Sequence, residues 1–251
     1  MRHLLSIFIL LQSLYIYPQN KAAIKDSIKK MESNPKLPMA FYYSGNSKYD
    51  AKEYYGALQD YNKAISLNPN YAEAYYGLGN CKKEVKDFKA AIQAYNKALL
   101  INPKLDFVYV NRGKTKWLLG DANGAMQDYN KAISLNPNNY EAYCSRGSIK
   151  SSLKQYKEEI EDYSKAIKIN PNYVNAYCFR GLAKNAIRDT KGAIEDFTKV
   201  IEFDSNNSTA YCGRGLAKFI TEDDKGACAD FKKAAALGNG GAKEMVNKYC
   251  K

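Results

Sequence analysis

Histidine is almost missing from this chain: His3 is the only one, and it stands among the first residues. Ser–His–Asp and Cys–His nucleophile systems need an imidazole base beside the nucleophile, so both are excluded, as are His-based zinc sites. The glycines are spread out rather than clustered, which removes a phosphate-cradling loop. Adjacent carboxylates such as Glu158-Glu159 and Asp223-Asp224 are expected on helix surfaces or turns. No catalytic residue, metal or cofactor is expected, and the chain reads as a non-enzyme. Long apolar runs are also lacking. The longest, Leu4 to Tyr17, is broken by Ser6, Gln12 and Ser13 and falls short of the roughly 20 residues that span a bilayer. Following the basic start Met1-Arg2-His3, it fits an export signal, although Tyr17-Pro18-Gln19-Asn20 is not a small-residue cleavage site. An uncleaved anchor and a buried helix are the other readings.

What is abundant is repetition. Asn-Pro occurs at Asn34-Pro35, Asn68-Pro69, Asn102-Pro103, Asn136-Pro137 and Asn170-Pro171, an interval of 34 residues each time. A fixed period in this range marks one supersecondary unit stacked on copies of itself. Aligned on that pair, an aromatic recurs at Phe41, Tyr75, Tyr109, Tyr143, Tyr177 and Tyr211, and Gly follows at Gly45, Gly79, Gly113, Gly147, Gly181 and Gly215. Farther on come Ala57, Ala91, Ala125, Ala193 and Ala227, with Glu159 as the exception. Then follow Tyr61, Tyr95, Tyr129, Tyr163, Phe197 and Phe231. Spacings of three, four and seven are helical. Each unit therefore reads as helix, short turn, helix and a Pro-marked break.

The aromatic–x3–Gly, Ala–x3–aromatic–x2–Ala and closing Pro resemble the tetratricopeptide repeat. The resemblance covers about residues 38–240. It implies an all-α fold, a right-handed superhelical solenoid of antiparallel helix pairs with a 34-residue period. The expected boundaries are an export signal at 1–20, an N-terminal half-repeat at 21–37, six repeats at 38–239 and a capping helix at 240–251. The half-repeat rests on Ala23, Ile24 and Asp26, which align with Ala57, Leu58 and Asp60. The cap rests on Ala242, Met245, Val246 and Tyr249, an apolar stripe at helical spacing. Ser205 and Asn239 replace the closing Pro on the approach to it.

The net charge of +12 is distributed in ladders. Lys48, Lys82, Lys116, Lys150, Lys184 and Lys218 form one row, and Lys63, Lys97, Lys131, Lys165, Lys199 and Lys233 another. They make either a solvated outer face or a basic stripe for an anionic polymer or membrane surface. Arg112, Arg146, Arg180 and Arg214 precede the repeat Gly, while Asp128, Asp162, Asp196 and Asp230 recur on the second helix of the same units. In the second unit both change together, to Leu78 and Ala94. The two series form either structural ion pairs, within a unit or between neighbours, or two independent ladders.

Six cysteines are present. Cys144, Cys178 and Cys212 occupy one position in consecutive units. Stacked helices about 8–10 Å apart hold such residues too far apart for a disulfide, so they read as free thiols. Cys228 and Cys250 can staple the cap to the last unit; two unbridged packing cysteines are the alternative.

The resemblance also implies where a partner lies, since in tetratricopeptide proteins the first helices line a concave groove. The groove positions include Tyr42, Asn46 and Tyr49, then Tyr76, Asn80 and Lys83, then Lys114 and Trp117, and farther along Asn185. Tyr42, Tyr76 and Trp117 read equally as half-exposed packing groups. The carboxylate-clamping subtype is not matched: Asn46 fits one element, but Tyr42, Gly77, Phe107 and Asn111 stand at the others. The expected function is an exported scaffold, periplasmic, cell-surface or secreted, that holds a peptide or helix of a protein partner. Envelope association or binding of nucleic acid or another anionic polymer through the Lys ladders is the alternative. Nucleic acid is disfavoured by the strict 34-residue period, and no transmembrane domain is expected once a signal is removed.

Overall fold

The computed structural model describes Asn34 and residues 36–250. The export segment at 1–20 and the half-repeat helix at Lys21–Ser33 lie outside the described residues. Among the described residues the fold is all-α, with thirteen helices. They are α1 (Leu37–Asp50), α2 (Tyr54–Leu67), α3 (Ala72–Glu84), α4 (Phe88–Ile101), α5 (Asp106–Leu118), α6 (Ala122–Leu135), α7 (Tyr140–Ser152), α8 (Tyr156–Ile169), α9 (Val174–Ala186), α10 (Thr190–Phe203), α11 (Ser208–Ile220), α12 (Asp224–Ala236) and α13 (Gly240–Tyr249). None is long and apolar enough to cross a membrane.

The chain divides into two compact units, Met1–Gly120 and Asp121–Lys251. In the first, α1 to α5 pack consecutively, and α1 and α5 also touch α3. In the second, α6 to α13 pack consecutively, and α9 also touches α11.

The repeated aromatics explain the packing. Tyr61 and Tyr95 in the first unit, and Tyr129, Tyr163, Phe197 and Phe231 in the second, are fully buried on the even-numbered helices. The Ala residues one turn before and after them, such as Ala57 and Ala64, are buried too. Small residues on the facing helices admit the rings. A Cβ at Gly45 would lie 2.8 Å from the Tyr61 ring, and one at Gly77 2.5 Å from it. Tyr61 is thus wedged between α1 and α3, which it joins through burial worth about 1.5–3 kcal/mol per large side chain.

The Asn-Pro beat has a physical cause. Asn68, Asn102, Asn136 and Asn170 close α2, α4, α6 and α8 in extended conformation, as a residue before Pro prefers. The Oδ1 of each accepts from the N–H two residues on, at 3.0–3.2 Å. The intervening Pro has no N–H to leave unpaired. Where Ser205 replaces Pro, Asp204 makes the same turn to the N–H of Asn206 at 3.0 Å.

The turn inside each helix pair is equally regular. Lys52, Lys86, Gly120, Lys154, Arg188 and Glu222 all have positive φ, so only one of six such turns uses the residue that favours it. Asp87, Asp121, Asp189 and Asp223 then cap the following helices by accepting a backbone N–H, which satisfies one of the unpaired donors at a helix start. At the end of the second unit α13 lays Ala242, Met245 and Val246 on Ala227, Phe231 and Ala234 of α12.

Candidate functional site

The first unit presents a face built by α1, α3 and α5. Asn46 on α1 and Asn80 on α3 are equivalent and are held alike. The hydroxyl of Tyr61 donates to Asn46 Oδ1 at 2.7 Å, and that of Tyr95 to Asn80 Oδ1 at 2.8 Å. A phenol buried for packing thereby fixes an amide at the surface, with its Oδ1 occupied and its Nδ2 left to donate. Burial pushes the phenols of Tyr61 and Tyr95 up, so both remain protonated donors.

Aromatic rings surround these amides. Tyr42 lies 5.2 Å from Tyr71 and 6.0 Å from Tyr61, centroid to centroid. Tyr76 meets Phe107 edge-on at 4.8 Å, and its hydroxyl accepts from Asn111 Nδ2 at 3.1 Å. Tyr42 and Tyr76 also pack on the buried core, so they join packing to surface. Tyr49 sits edge-on to Tyr54 at 5.6 Å. Burial, reinforced by Glu84, raises its phenol to about 12. The same two causes push the buried Cys81 thiol up to about 12, which keeps it protonated and inert. Lys83 Nζ lies 3.4 Å from Glu84 Oε1. On α5 Lys114 is half-buried, while Phe107, Trp117 and Leu118 are exposed.

This face carries two oriented amide donors, two ammonium groups, several phenols and exposed rings. It can donate to a row of carbonyl oxygens while rings cover apolar side chains. Those are the demands of an extended peptide, and aromatic anchors are where such surfaces concentrate binding energy.

In the second unit Asn185 is placed differently from Asn46 and Asn80. Its Nδ2 donates to the backbone carbonyl of Gly213 at 2.9 Å, and its buried Oδ1 has no partner. It ties α9 to α11.

The polar ladders of that unit are a connected network. Arg146 grips Asp162 through Nε at 2.9 Å and Nη2 at 2.6 Å. Arg180 grips Asp196 and Arg214 grips Asp230 in the same bidentate way. Each third nitrogen reaches back one repeat, to Asn130, Ser164 and Thr198. Each guanidinium also lies over a repeat tyrosine, Tyr143, Tyr177 or Tyr211, at 5.5–5.6 Å. The hydrogen bonds to Asp162 and Asp230 raise Arg146 and Arg214 further above the ordinary arginine range. In the first unit Arg112 donates to Asn96 at 2.7 Å and lies over Tyr109. Asp128 is buried on α6.

Four members of the first Lys row are tied to ladder carboxylates, which corrects the expectation of a solvated face or free basic stripe for those four. Lys150, Lys184 and Lys218 place Nζ 2.8–2.9 Å from Asp162, Asp196 and Asp230, and Lys48 reaches Asp60 at 2.7 Å. The second row is solvent-exposed from Lys97 onward.

Cys228 and Cys250 form a disulfide, with Cα atoms 5.5 Å apart. Cys144, Cys178 and Cys212 are half-buried and stand outside the disulfide, and burial pushes the last two thiols up. Among the described residues no group of His, Cys, Asp and Glu could hold a metal.

Known proteins share this pattern. A family model described as TPR repeat matches residues 45–84, 118–153 and 147–185, and two described as Tetratricopeptide repeat match 72–105 and 174–207. One solved structure, MamA, is 30% identical over 66% of this chain and 97% of its own, with a TM-score of 0.60. The chain belongs to the tetratricopeptide repeat family. PilF of Pseudomonas aeruginosa shares the tetratricopeptide fold at a TM-score of 0.76, with 18% identity over 85% of this chain and 98% of its own. YrrB, described as a TPR protein with an unusual peptide-binding site, is 23% identical over 72% of this chain and 94% of its own, with a TM-score of 0.58. No curated protein matches.

Proposed function

We propose that this tetratricopeptide protein is a non-enzymatic interaction scaffold that holds an extended segment of a protein partner on the α1–α3–α5 face. The observation that carries the reading is the paired use of Asn46 and Asn80. Each has its Oδ1 occupied by a buried tyrosine and its Nδ2 left to donate. Two such donors one repeat apart suit the carbonyls of an extended backbone, and the rings of Tyr42, Tyr76 and Trp117 suit its apolar side chains. Membership of a family that includes YrrB, with its peptide-binding site, supports the same class of partner.

The work is done outside the reducing cytoplasm. The apolar run from Leu4 to Tyr17 behind a basic start, and a terminal disulfide of the kind that persists in oxidising compartments, both favour that placement.

The test is affinity capture from the native compartment, comparing the wild-type chain with Trp117→Ala and Lys83→Ala, two residues whose removal leaves the core intact. Loss of one specific protein from both variants is expected. Retention of every captured protein by both would reject the face.

A further inference from the structure

The interrupted ladder of the second repeat leaves a cleft in the first unit, on the outer side of the α3–α4 pair. Its volume is about 700 Å³, and Tyr75, Leu78, Lys82, Ala90, Ala94, Lys97 and Leu100 are among its lining residues. That volume is within the range of small-ligand sites, about 300–1,000 Å³. At 100° per residue, Tyr75, Leu78 and Lys82 lie roughly 130° around α3 from Tyr76, Asn80 and Lys83. The cleft is therefore separate from the peptide face.

Its chemistry follows from what the second repeat omits. Leu78 stands where Arg146, Arg180 and Arg214 stand in later repeats, and Ala94 where Asp162, Asp196 and Asp230 stand. Leu100 takes a place held by Ser66, Ser134, Lys168 and Glu202 elsewhere, and it is 77% exposed. The floor has thus become apolar. Lys82 has at the same time lost the carboxylate that holds its equivalents. Lys48, Lys150, Lys184 and Lys218 each reach a buried or half-buried Asp at 2.7–2.9 Å. Lys82 has only Asp87, an exposed residue, at 3.4 Å. Lys97 adds a second ammonium at the edge.

We propose that this cleft binds an aliphatic carboxylate, with its hydrocarbon chain on Leu78, Leu100 and Tyr75 and its carboxylate beside Lys82. The ligand's carboxylate then supplies the group that Ala94 removes from the ladder. Apolar contact provides the attraction, and the Lys82 ammonium, held only by exposed Asp87 at 3.4 Å, selects an anionic head over a neutral or cationic one.

The test titrates the full chain with decanoate, decanol and decyltrimethylammonium, followed by backbone amide shifts and by calorimetry. Saturable binding of decanoate is expected, with shifts on α3 and α4, at least tenfold weaker binding of decanol and no binding of the cation. Restoring the ladder with Leu78→Arg and Ala94→Asp fills the floor and gives Lys82 its partner, so decanoate affinity should fall at least tenfold. Lys82→Gln with Lys97→Gln, a surface change that leaves the fold intact, should reduce decanoate to the level of decanol. Equal binding of all three probes, decanoate binding unchanged in the lysine variant, shifts confined to α1 and α5, or no saturable binding would each overturn the proposal.

Discussion

Arg180 holds Asp196 by two parallel hydrogen bonds, Nε to Oδ2 at 2.9 Å and Nη2 to Oδ1 at 2.6 Å, with the carboxylate nearly out of solvent. A pair in this setting contributes geometry more than net stability, because desolvation offsets the Coulomb gain. Removing one partner leaves the other buried, so Arg180→Ala should cost about 3 kcal/mol. The second repeat already carries the apolar solution as Leu78 and Ala94. Arg180→Leu combined with Asp196→Ala should therefore cost less than Arg180→Ala alone. A double-mutant cycle by urea unfolding measures the coupling, and simple additivity would contradict it.

Tyr61 makes the glycines of α1 and α3 unequal to an ordinary helical glycine. Gly→Ala inside a helix usually gains up to about 1 kcal/mol. At Gly56 the new methyl would meet only the flexible end of Lys48, at 3.1 Å, and that gain should appear. At Gly77 it would meet the buried Tyr61 ring at 2.5 Å, so Gly77→Ala should lose about 1–3 kcal/mol through overpacking. Thermal unfolding of the two variants distinguishes the signs.

Glu159 occupies the position that is alanine in five other repeats. It is buried, and its Oε2 has no hydrogen-bond partner. Desolvation raises its carboxyl, partly opposed by a hydrogen bond with Ser151. Because the folded value lies above the unfolded one, the neutral form is favoured by folding. Stability from this group is fully present below the unfolded value of about 4.3 and is lost as pH rises through the folded value. Glu159→Gln should be more stable than wild type at pH 7 and should lose that advantage below about pH 4. Unfolding midpoints across that range measure it.

The Cys228–Cys250 bridge closes a loop with a sequence separation of 22 and anchors the last helix. Its loss should cost about 3 kcal/mol, felt chiefly by α13. Hydrogen exchange with and without reductant should show protection lost in α13 and kept in α9 and α10. Uniform loss through the second unit would contradict a local staple.

The helix pairs were legible because one period is written through the chain. Phe41, Gly45, Ala57 and Tyr61 return at fixed spacing, and each return samples the same packing. The Asn-Pro beat announced the breaks, although its mechanism, an Asn Oδ1 accepting the N–H two residues on, is a property of the folded turn that spacing does not carry. So is the continuity of the turn at Asp204, where the Pro is gone but the acceptor persists. The site was less legible. Asn46 and Asn80 were marked by position, but the tyrosine hydroxyls that orient them approach from another helix. Asn185 carries the same residue type into a different environment and hydrogen-bonds Gly213 instead. The first Lys row looked like a surface stripe because spacing does not reveal which acceptor lies across a helix pair. The joint change to Leu78 and Ala94 was visible; the cleft it opens also depends on Leu100, which belongs to a different row that is otherwise mostly polar.

The central claim, that a partner segment lies on α1, α3 and α5, is tested most directly by site-specific photocrosslinking in the native compartment. A benzophenone side chain placed at Lys83 or Trp117 should trap one and the same protein, and at Lys131 or Lys165, on the exposed second Lys row, should trap none of it. Crosslinking of that protein from the second row, with none from Lys83 and Trp117, would contradict the account.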